Sequence, residues 1–379
     1  MTMKEKKKTG FFQSTAGFTV VSIFLGLFIG GIILKIAGFN PFTAYWVIIK
    51  GVVSKPKYVA YTLVSATPLI LTGLSVAFAF RTGLFNIGAE GQFIIGALVA
   101  GLTGYFWHLP PVIHVIVVII VAGSAAAAWG GLSGYLKAKF GVNEVISTIM
   151  LNWIAFYLSN WIVGLPGIAK EVGVNVTNNI QDTARIDILG VWKRTDEGIE
   201  YLTEHPFFFD LLRAPVNLGF LFAILLVILI WFILNRTTLG YELRAVGFNK
   251  HAAEYGGINV KKSIIISMAI SGALAGLAGT FHVLGNSMKV ANLAGMEGAG
   301  FDGIAVALIG NTTAAGSVFG GLLFGILKYG GTKIQNELGA PTEIINIIIG
   351  TIVFFIAMPK FIKILYSIKL KKGGNQNAE

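Results

Sequence analysis

The sequence predicts an all-α polytopic integral membrane protein with about ten transmembrane helices, some of them short or broken. Of its 379 residues, 55% are hydrophobic and 12% are charged, and the charged fraction is about half that of an average soluble domain. The 48 glycines fit this class, because small residues allow transmembrane helices to approach closely. Apolar runs of about 20 residues, the length that crosses a bilayer, recur along the chain.

Ten predicted spans divide the chain. The first five lie at about 18–38, 57–80, 84–107, 110–130 and 143–165. The remaining five lie at about 215–235 and 263–285, at two short helices within 301–330 that are separated at Asn311-Thr312-Thr313, and at about 343–366. Basic tails at 1–17 and 367–379 close the two ends, and polar segments at 166–214 and 236–262 interrupt the spans. The run Phe18–Ile36 is too long for the core of a signal peptide, so we expect a retained first helix.

The net charge of +11 is distributed as a membrane protein distributes it. Of the 29 Lys and Arg residues, 17 fall in the tails and in loops that the ten spans place in the cytoplasm. Both termini are therefore expected to be cytoplasmic, and no nucleic-acid partner is expected. The region 40–60 is the exception, because its lysines, Lys50, Lys55 and Lys57, would lie outside.

Several chemistries are excluded. The chain has no cysteine, so disulfides, thiol nucleophiles and cysteine metal sites are absent. Its five histidines are scattered and do not suggest a metal site. No phosphate-binding loop of the G-x-x-x-x-G-K-[ST] type occurs, so the chain is not expected to hydrolyse ATP or to act as an enzyme.

The polar segment 236–262 has the features of a docking loop. Asn249 is a suitable N-cap for a short helix over 250–255, and Gly256 or Gly257 can end it in the left-handed conformation. Ala252 and Ala253 would leave a small-residue surface that another protein can approach closely. The alternative is an amphipathic connector on the lipid headgroups, but the helix lacks the large apolar anchors such a helix needs.

A second polar segment, 81–92, interrupts two apolar runs with glycines at 83, 88 and 91. It places Arg81, Asn86, Glu90 and Gln92 at or near membrane depth, where ionisable groups face a cavity or find partners. The segment is interpreted as a hinge or as the lining of a solute pathway. The alternative is a cytoplasmic turn in which Arg81 and Glu90 pair.

A third motif, 141–152, opens the fifth span. Asn143 can cap the helix, and Glu144 in its first turn suits the positive end of the helix dipole. Asn152 lies deeper on roughly the same face. Its amide suits a sugar or a base, and it suits equally a bond to a neighbouring helix.

The polar loop 166–214 carries eight acidic and five basic residues and is expected to be external. Its carboxylates include a set that would form a contact surface for an external partner: Asp182, Asp187, Asp196, Glu197, Glu200 and Glu204. A solvated connector packed over the helices is the alternative.

Three motifs together resemble the permease subunits of ATP-binding-cassette (ABC) importers of the branched-chain amino acid and monosaccharide permease superfamily. GLFNIGAEGQ (84–92 with its flanking glycine) and NEVISTIMLN (143–152) look like the nucleoside or simple-sugar branch, and RAVGFNKHAAEYGGI (244–258) looks like the cytoplasmic coupling region. The resemblance covers about 60–360. The residues that it assigns to ATPase coupling are Arg244, Gly247, Asn249, Ala252, Ala253, Tyr255, Gly256 and Gly257. The candidate substrate pathway consists of Asn86, Glu90, Gln92, Asn152 and Asn311.

The resemblance also implies partners in a bacterial plasma membrane. These are a second homologous permease subunit, a separate ATPase subunit that binds ATP and Mg, and an extracellular substrate-binding lipoprotein. Nucleosides are the expected solute, with ribose- or galactose-type sugars as the alternative. A stand-alone secondary carrier or channel is a further alternative, for which Arg81, Glu90 and Asp302 are the candidate charges.

Overall fold

The computed structural model describes residues 15–171 and 174–357, and this part of the chain is almost entirely helical. Within it the backbone forms three isolated β-bridges and no β-strand. The α-helices are α1 Thr15–Ile36, α2 Pro41–Val53, α3 Pro56–Arg81, α4 Ala89–Phe106, α5 Ile113–Phe140, α6 Glu144–Val163, α7 Asp196–Glu204, α8 Pro206–Leu212, α9 Gly219–Arg236, α10 Thr238–Phe248, α11 Lys250–Tyr255, α12 Val260–His282, α13 Ala299–Ile309, α14 Ala314–Leu338 and α15 Thr342–Ala357.

Several of these helices are long and apolar enough to cross a membrane. Among the described residues, five qualify singly: α3, α5, α6, α9, and α12 with its extension to Ser287. A sixth span is possible in the pair Val20–Ile36 and Pro41–Val53, which is bent by 117°, and α13 and Glu343–Phe355 are shorter apolar helices. The expected class, an all-α polytopic membrane protein, is confirmed, and the number of ten crossings stays a prediction.

Two predicted boundaries shift. The span expected at 84–107 begins at Ala89, because residues 82–88 leave the helical conformation around Gly83, whose φ is +71°. The span expected at 110–130 extends to Phe140 and ends at Gly141 in the left-handed conformation. Residues 1–14 and 367–379 of the two predicted tails, and the predicted last span beyond residue 357, lie outside the described residues.

The chain forms two compact units, and the smaller one contains the described residues 15–50 and 330–357. In it α1 packs against α15. Gly30 permits the contact, since a Cβ there would lie 2.7 Å from the Cγ1 atom of Ile348. Ser22 also donates a hydrogen bond of 3.4 Å to the carbonyl of Phe355.

The larger unit, residues 51–329, is built around α12, which packs against α5, α4 and α3. Glycines bring the backbones together: a Cβ on Gly130 of α5 would lie 2.9 Å from the Cα of Gly272 in α12. A Cβ on Gly96 of α4 would overlap the carbonyl of Gly276. Such close approach is typical of helix packing in membranes, where van der Waals contact drives association.

Local signals in the sequence are confirmed at three places. Asn143 accepts a hydrogen bond of 2.8 Å from the backbone N–H of Val145 and so caps α6, and Glu144 forms an ion pair with Lys137. Asn249 caps α11. The chain breaks between α13 and α14 as expected, where Asn311 and Thr312 adopt positive φ angles of 51° and 50°.

Candidate functional site

The 82–92 segment enters the core of the larger unit without forming a helix until Ala89. Buried irregular backbone is tolerated in a membrane protein only where protein or water satisfies its polar groups. Arg81, at its start, donates from Nε to the carbonyl of Thr312 at 3.0 Å. The pairing of Arg81 with Glu90, which was the alternative from the sequence, is not formed, because both side chains bond elsewhere.

Two amide side chains of the segment form a closed cluster with two serines, Ser75 of α3 and Ser271 of α12. Asn86 donates to Gln92 at 2.8 Å, and Gln92 donates back to Asn86 at 3.2 Å. Asn86 also donates to the hydroxyls of Ser271 and Ser75 at 2.7 and 3.3 Å. This amide cluster therefore ties the segment to α3 and α12.

Asn152 of α6 holds the same segment from the other side. Its Oδ1 accepts from the N–H of Gly91 at 2.8 Å, and its Nδ2 donates to the carbonyl of Ile87 at 3.0 Å. The amide thus satisfies one donor and one acceptor of irregular backbone.

Glu90 connects the start of α4 to the start of α13. Its two carboxylate oxygens accept from the backbone N–H groups of Gly298 and Gly300 at 2.8 and 2.7 Å. The first N–H groups of a helix have no partner within it, and its N-terminus carries a partial positive charge, so a carboxylate there is doubly favourable. Gly300 allows the approach, because a Cβ there would overlap the backbone of Glu90.

Four of the five predicted pathway residues are therefore brought together, and the fifth is separate. Asn86, Glu90, Gln92 and Asn152 are at most 1% exposed, and every side-chain nitrogen and oxygen of the four has a hydrogen-bond partner within the protein. Asn311 is exposed at the turn between α13 and α14, beside the carbonyl that binds Arg81.

A cavity of about 130 Å³ lies one to two turns along α4 from Glu90. Its walls come from α4, α6, the end of α12 and the 287–297 segment, and they include Phe93, Ser159, His282 and Glu297. The sequence did not single out these residues, because they are far apart in the chain. One signal was present: Gly-Ala-Glu-Gly at 88–91 is repeated as Gly-Met-Glu-Gly at 295–298, each just before or at the start of a helix.

The predicted coupling segment is ordered and largely exposed. Asn249 accepts from the N–H groups of His251 and Ala252 at 3.0 and 3.1 Å, and the left-handed residue that ends α11 is Gly257, with a φ of +83°. Ala252 is exposed as expected, but Ala253 is only 5% exposed and accepts from the N–H of Ile258 at 3.0 Å, so the small-residue surface consists of Ala252 alone.

The helix contains no Leu or Phe, as expected, but two large aromatic side chains are exposed before it and at its end. Phe248 is 90% exposed and Tyr255 is 98% exposed. Gly256 is open, since a Cβ there would have no neighbour closer than 3.4 Å. Arg244 bonds within its own helix, from Nε to the carbonyl of Gly240 at 3.3 Å.

The coupling segment lies directly on the start of the 82–92 segment. A Cβ on Gly247 of α10 would overlap the carbonyl of Arg81 and lie 3.1 Å from the backbone nitrogen of Gly83. The two backbones are therefore in contact, with no side chain between them.

The 166–214 loop is folded and covers the ends of neighbouring elements. Gln181 donates from its backbone to the carbonyl of Gly104 at 2.8 Å, and Thr177 donates to that of Val290 at 2.9 Å. Of the acidic set, Asp182 and Asp187 bind Arg185 at 2.8 Å each, and the four carboxylates of α7 are exposed.

Two basic side chains in this loop have shifted pKa values. Burial lowers the pKa of the Arg185 guanidinium. The hydrogen bonds from Arg185 to Asp182 and Asp187, and the charges of these two residues, raise the pKa by a larger amount, so the net shift is upward. Burial lowers the pKa of Lys193. The loop is thus a packed structure with its own ion pairs.

Comparison with known proteins places the chain in a family. The family of branched-chain amino acid transport system permease components matches residues 58–357. The chain belongs to this permease family. No solved structure matches it.

Full-length relatives of this permease are ABC transporter components. It is 40% identical over 357 residues, 94% of this chain and 97% of the relative, to the guanosine ABC transporter permease protein NupP of Bacillus subtilis (strain 168). It is 33% identical to the nucleoside ABC transporter permease protein NupB of Lactococcus lactis subsp. cremoris (strain MG1363), over 91% of this chain and 92% of the relative. It is 30% identical to the glucose ABC transporter permease protein TsgB13 of Haloferax volcanii, over 92% of this chain and 88% of the relative.

Proposed function

We propose that this permease moves nucleosides into the cell as the transmembrane subunit of an ABC importer. The observation that carries the proposal is the 40% identity, over 97% of its length, to a permease named for guanosine. Simple sugars are the second candidate, because a glucose permease is 30% identical over a similar share of the chain. The two nucleoside permeases are the more similar relatives, which favours nucleosides.

The energy would come from a separate ATPase subunit, which would bind ATP and Mg. The chain has no phosphate-binding loop of its own, and the 249–257 element exposes Tyr255 beside the open Gly256, with the exposed Phe248 directly before it. Exposed aromatic side chains are the residues on which protein interfaces most often depend. This element would face the cytoplasm, and with it both chain termini.

The contact between Gly247 and residues 81–83 suggests how ATPase movement reaches the interior. A ligand shifts a conformational equilibrium only by binding one state more tightly than another. ATPase closure would favour the state in which α10 presses on residues 81–83, and the segment would carry the movement to Glu90. Asn86, Glu90, Gln92 and Asn152 are then proposed as the hinge of the pathway, and Asn311 as a residue at its cytoplasmic end.

The complex is proposed to contain a second permease and a substrate-binding lipoprotein. The relatives support the first point: Bacillus subtilis also has a guanosine permease protein NupQ, 30% identical to this chain, and Lactococcus lactis a nucleoside permease protein NupC, 26% identical. The exposed carboxylates of α7 are the proposed contact for the lipoprotein.

A stand-alone carrier is less well supported. Ion-coupled carriers place pairs of charges at mid-membrane, and the three candidates here are engaged separately. Arg81 binds a carbonyl, Glu90 binds two backbone N–H groups, and Asp302 forms an ion pair with Lys328.

Uptake of labelled guanosine, in cells with and without this gene, tests the proposal. Unlabelled nucleosides should compete, and ribose and glucose should not. Uptake blocked by a sugar and unaffected by nucleosides would establish the sugar alternative. Uptake into ATP-free vesicles that contain this chain alone would establish the carrier.

A further inference from the structure

The cavity beside α4 contains a polar atom that the protein leaves unpaired. Ser159 of α6 is 1% exposed and lines the cavity, and its hydroxyl has no hydrogen-bond partner among the described residues. Buried polar groups almost always have partners, so an unpaired one calls for a specific explanation. Because Ser159 lies at the wall of the cavity, rotation of its side chain would turn the hydroxyl toward a molecule that enters.

The neighbouring residue, Asn160, shows that this part of α6 is held by hydrogen bonds. Asn160 accepts from the N–H of Leu293 at 2.7 Å and donates to its carbonyl at 2.9 Å. These two bonds fix the 287–297 segment against α6. The hydroxyl of Ser159 therefore stays free within a well-defined wall.

Two aromatic side chains form another part of the cavity wall. The rings of Phe93 and His282 have centroids 6.0 Å apart and planes inclined at 49°. Aromatic faces of this kind bind nucleic-acid bases by stacking, whatever the base. The exposed Glu297 lies at the rim, where its carboxylate can accept hydrogen bonds from base N–H groups.

The volume of the cavity limits the size of the ligand that can enter it. Whole small-molecule ligands usually occupy about 300–1,000 Å³, whereas this cavity has about 130 Å³. It has room for one flat ring system and not for a whole nucleoside.

The cavity is also connected to the proposed hinge. Its 287–297 wall continues into Gly298 and Gly300, whose N–H groups are held by Glu90. At its other end α12 passes into one turn of π-helix, Val283–Ser287, a distortion that is frequent at functional sites. Movement of the 82–92 segment would therefore change the shape of the cavity.

We propose that this cavity binds the base of the transported nucleoside, against the paired rings of Phe93 and His282, with the Ser159 hydroxyl as a hydrogen-bond partner. The assignment rests on the proposed function, nucleoside import. It adds a specific site that is distinct from the amide cluster, and it makes Ser159 and Glu297 determinants of which base is accepted.

Because the chain has no cysteine, Ser159→Cys provides a unique thiol in the cavity. In the complete complex, a small methanethiosulfonate reagent should label it, as read from the mass of this chain. Guanosine at ten times its half-saturating concentration should slow labelling about tenfold, in proportion to the unoccupied fraction of sites. Ribose at the same concentration should not slow it.

The matched control is Ser54→Cys, in the exposed turn between α2 and α3, which should be labelled at the same rate with and without guanosine. Uptake by the same complexes separates the two proposals. If guanosine is transported but labelling of Ser159→Cys is unprotected, or does not occur in any state, the base-binding site is wrong and the function stands. Protection by ribose alone would contradict the base assignment. If no nucleoside is transported, the function itself is wrong.

Discussion

The amide cluster and the cavity beside it contain similar polar residues, but those of the cluster are hydrogen-bonded within the protein and Ser159 in the cavity has no partner among the described residues. Around 82–92, Asn86, Glu90 and Gln92 are buried with every polar atom paired. In the cavity that α4 and α6 line, Ser159 of α6 is equally buried and unpaired, and Glu297 is exposed at the rim. The difference shows that polarity at membrane depth does not by itself mark a solute site. Paired groups hold helices together, and the unpaired one is available to a solute.

The same short motif occurs on both sides of this comparison. Gly-Ala-Glu-Gly at 88–91 places its carboxylate on the N-terminus of α13, whereas Gly-Met-Glu-Gly at 295–298 leaves its carboxylate exposed. The role of each glutamate is thus determined by what packs against it, and this can be tested residue by residue.

The largest effect is expected for Glu90→Ala. It leaves the N–H groups of Gly298 and Gly300 buried without partners and removes the charge that stabilises the start of α13. The free energy of unfolding should fall by about 3 kcal/mol. Glu297→Ala is the matched control and should change stability by less than about 0.5 kcal/mol. Thermal unfolding of the purified complex measures the stability of both variants. Equal melting temperatures would contradict the different roles assigned to Glu90 and Glu297.

A smaller loss is expected for Asn152→Ala, about 2 kcal/mol, because one buried N–H and one carbonyl lose their partner. Ser159→Ala, one to two turns along the same helix, removes an unpaired hydroxyl and should leave stability unchanged or slightly raised. The same melting experiment measures both. A loss of stability in Ser159→Ala as large as that in Asn152→Ala would mean that its hydroxyl is paired after all.

The sequence predicted the features that depend on near neighbours. Asn143 and Asn249 were expected to cap helices, and 311–313 to break one, because capping and left-handed residues act within a few positions. The partners of Glu90 are 208 and 210 residues away, so no local rule identifies them. Likewise Ser159 of α6 and His282 of α12 line one cavity although they are far apart in the chain.

The surface of α11 illustrates the same limit. Its existence and its N-cap followed from the sequence, but its two alanines were expected to share one exposed surface. Ala253 faces inward because residue 258 folds back on it, with the N–H of Ile258 bonded to its carbonyl at 3.0 Å. The large exposed groups come instead from Phe248, which precedes the helix, and from Tyr255, its last residue.

Coupling is expected to be more sensitive than stability at the exposed end. Gly256→Leu adds bulk where no atom lies within 3.4 Å, so the fold should be retained. ATP-driven guanosine uptake should fall about tenfold, a loss of about 1.4 kcal/mol at the docking surface. Gly164→Leu is the control, since Gly164 ends α6 with a similar φ of −79° and its nearest neighbours would lie 3.6 Å away. Unchanged uptake in Gly256→Leu, or an equal fall in both, would contradict the docking role.

The smallest effect is expected for two aspartates that bind the same arginine but differ in burial. Asp182 and Asp187 both bind Arg185 at 2.8 Å, but their side chains are 70% and 6% exposed. Asp182→Asn should change the unfolding free energy by less than about 0.5 kcal/mol, as for other exposed pairs. Asp187→Asn should cost more, because the Asp187 side chain is itself buried beside Arg185. Chemical denaturation of the two variants measures the two losses. A larger loss in Asp182→Asn than in Asp187→Asn would contradict the conclusion that buried, paired polar groups hold the structure together.

The most direct test of the account is the kinetics of guanosine uptake by Ser159→Ala and Asn152→Ala, measured side by side in the reconstituted complex. A residue that binds the solute should change KM, and a residue that holds the hinge should change the maximal rate. The account predicts a KM raised about tenfold with an unchanged maximal rate for Ser159→Ala, the size expected for one lost hydrogen bond. It predicts a lowered maximal rate with an unchanged KM for Asn152→Ala. The opposite pattern would contradict it, and would place the solute at the amide cluster.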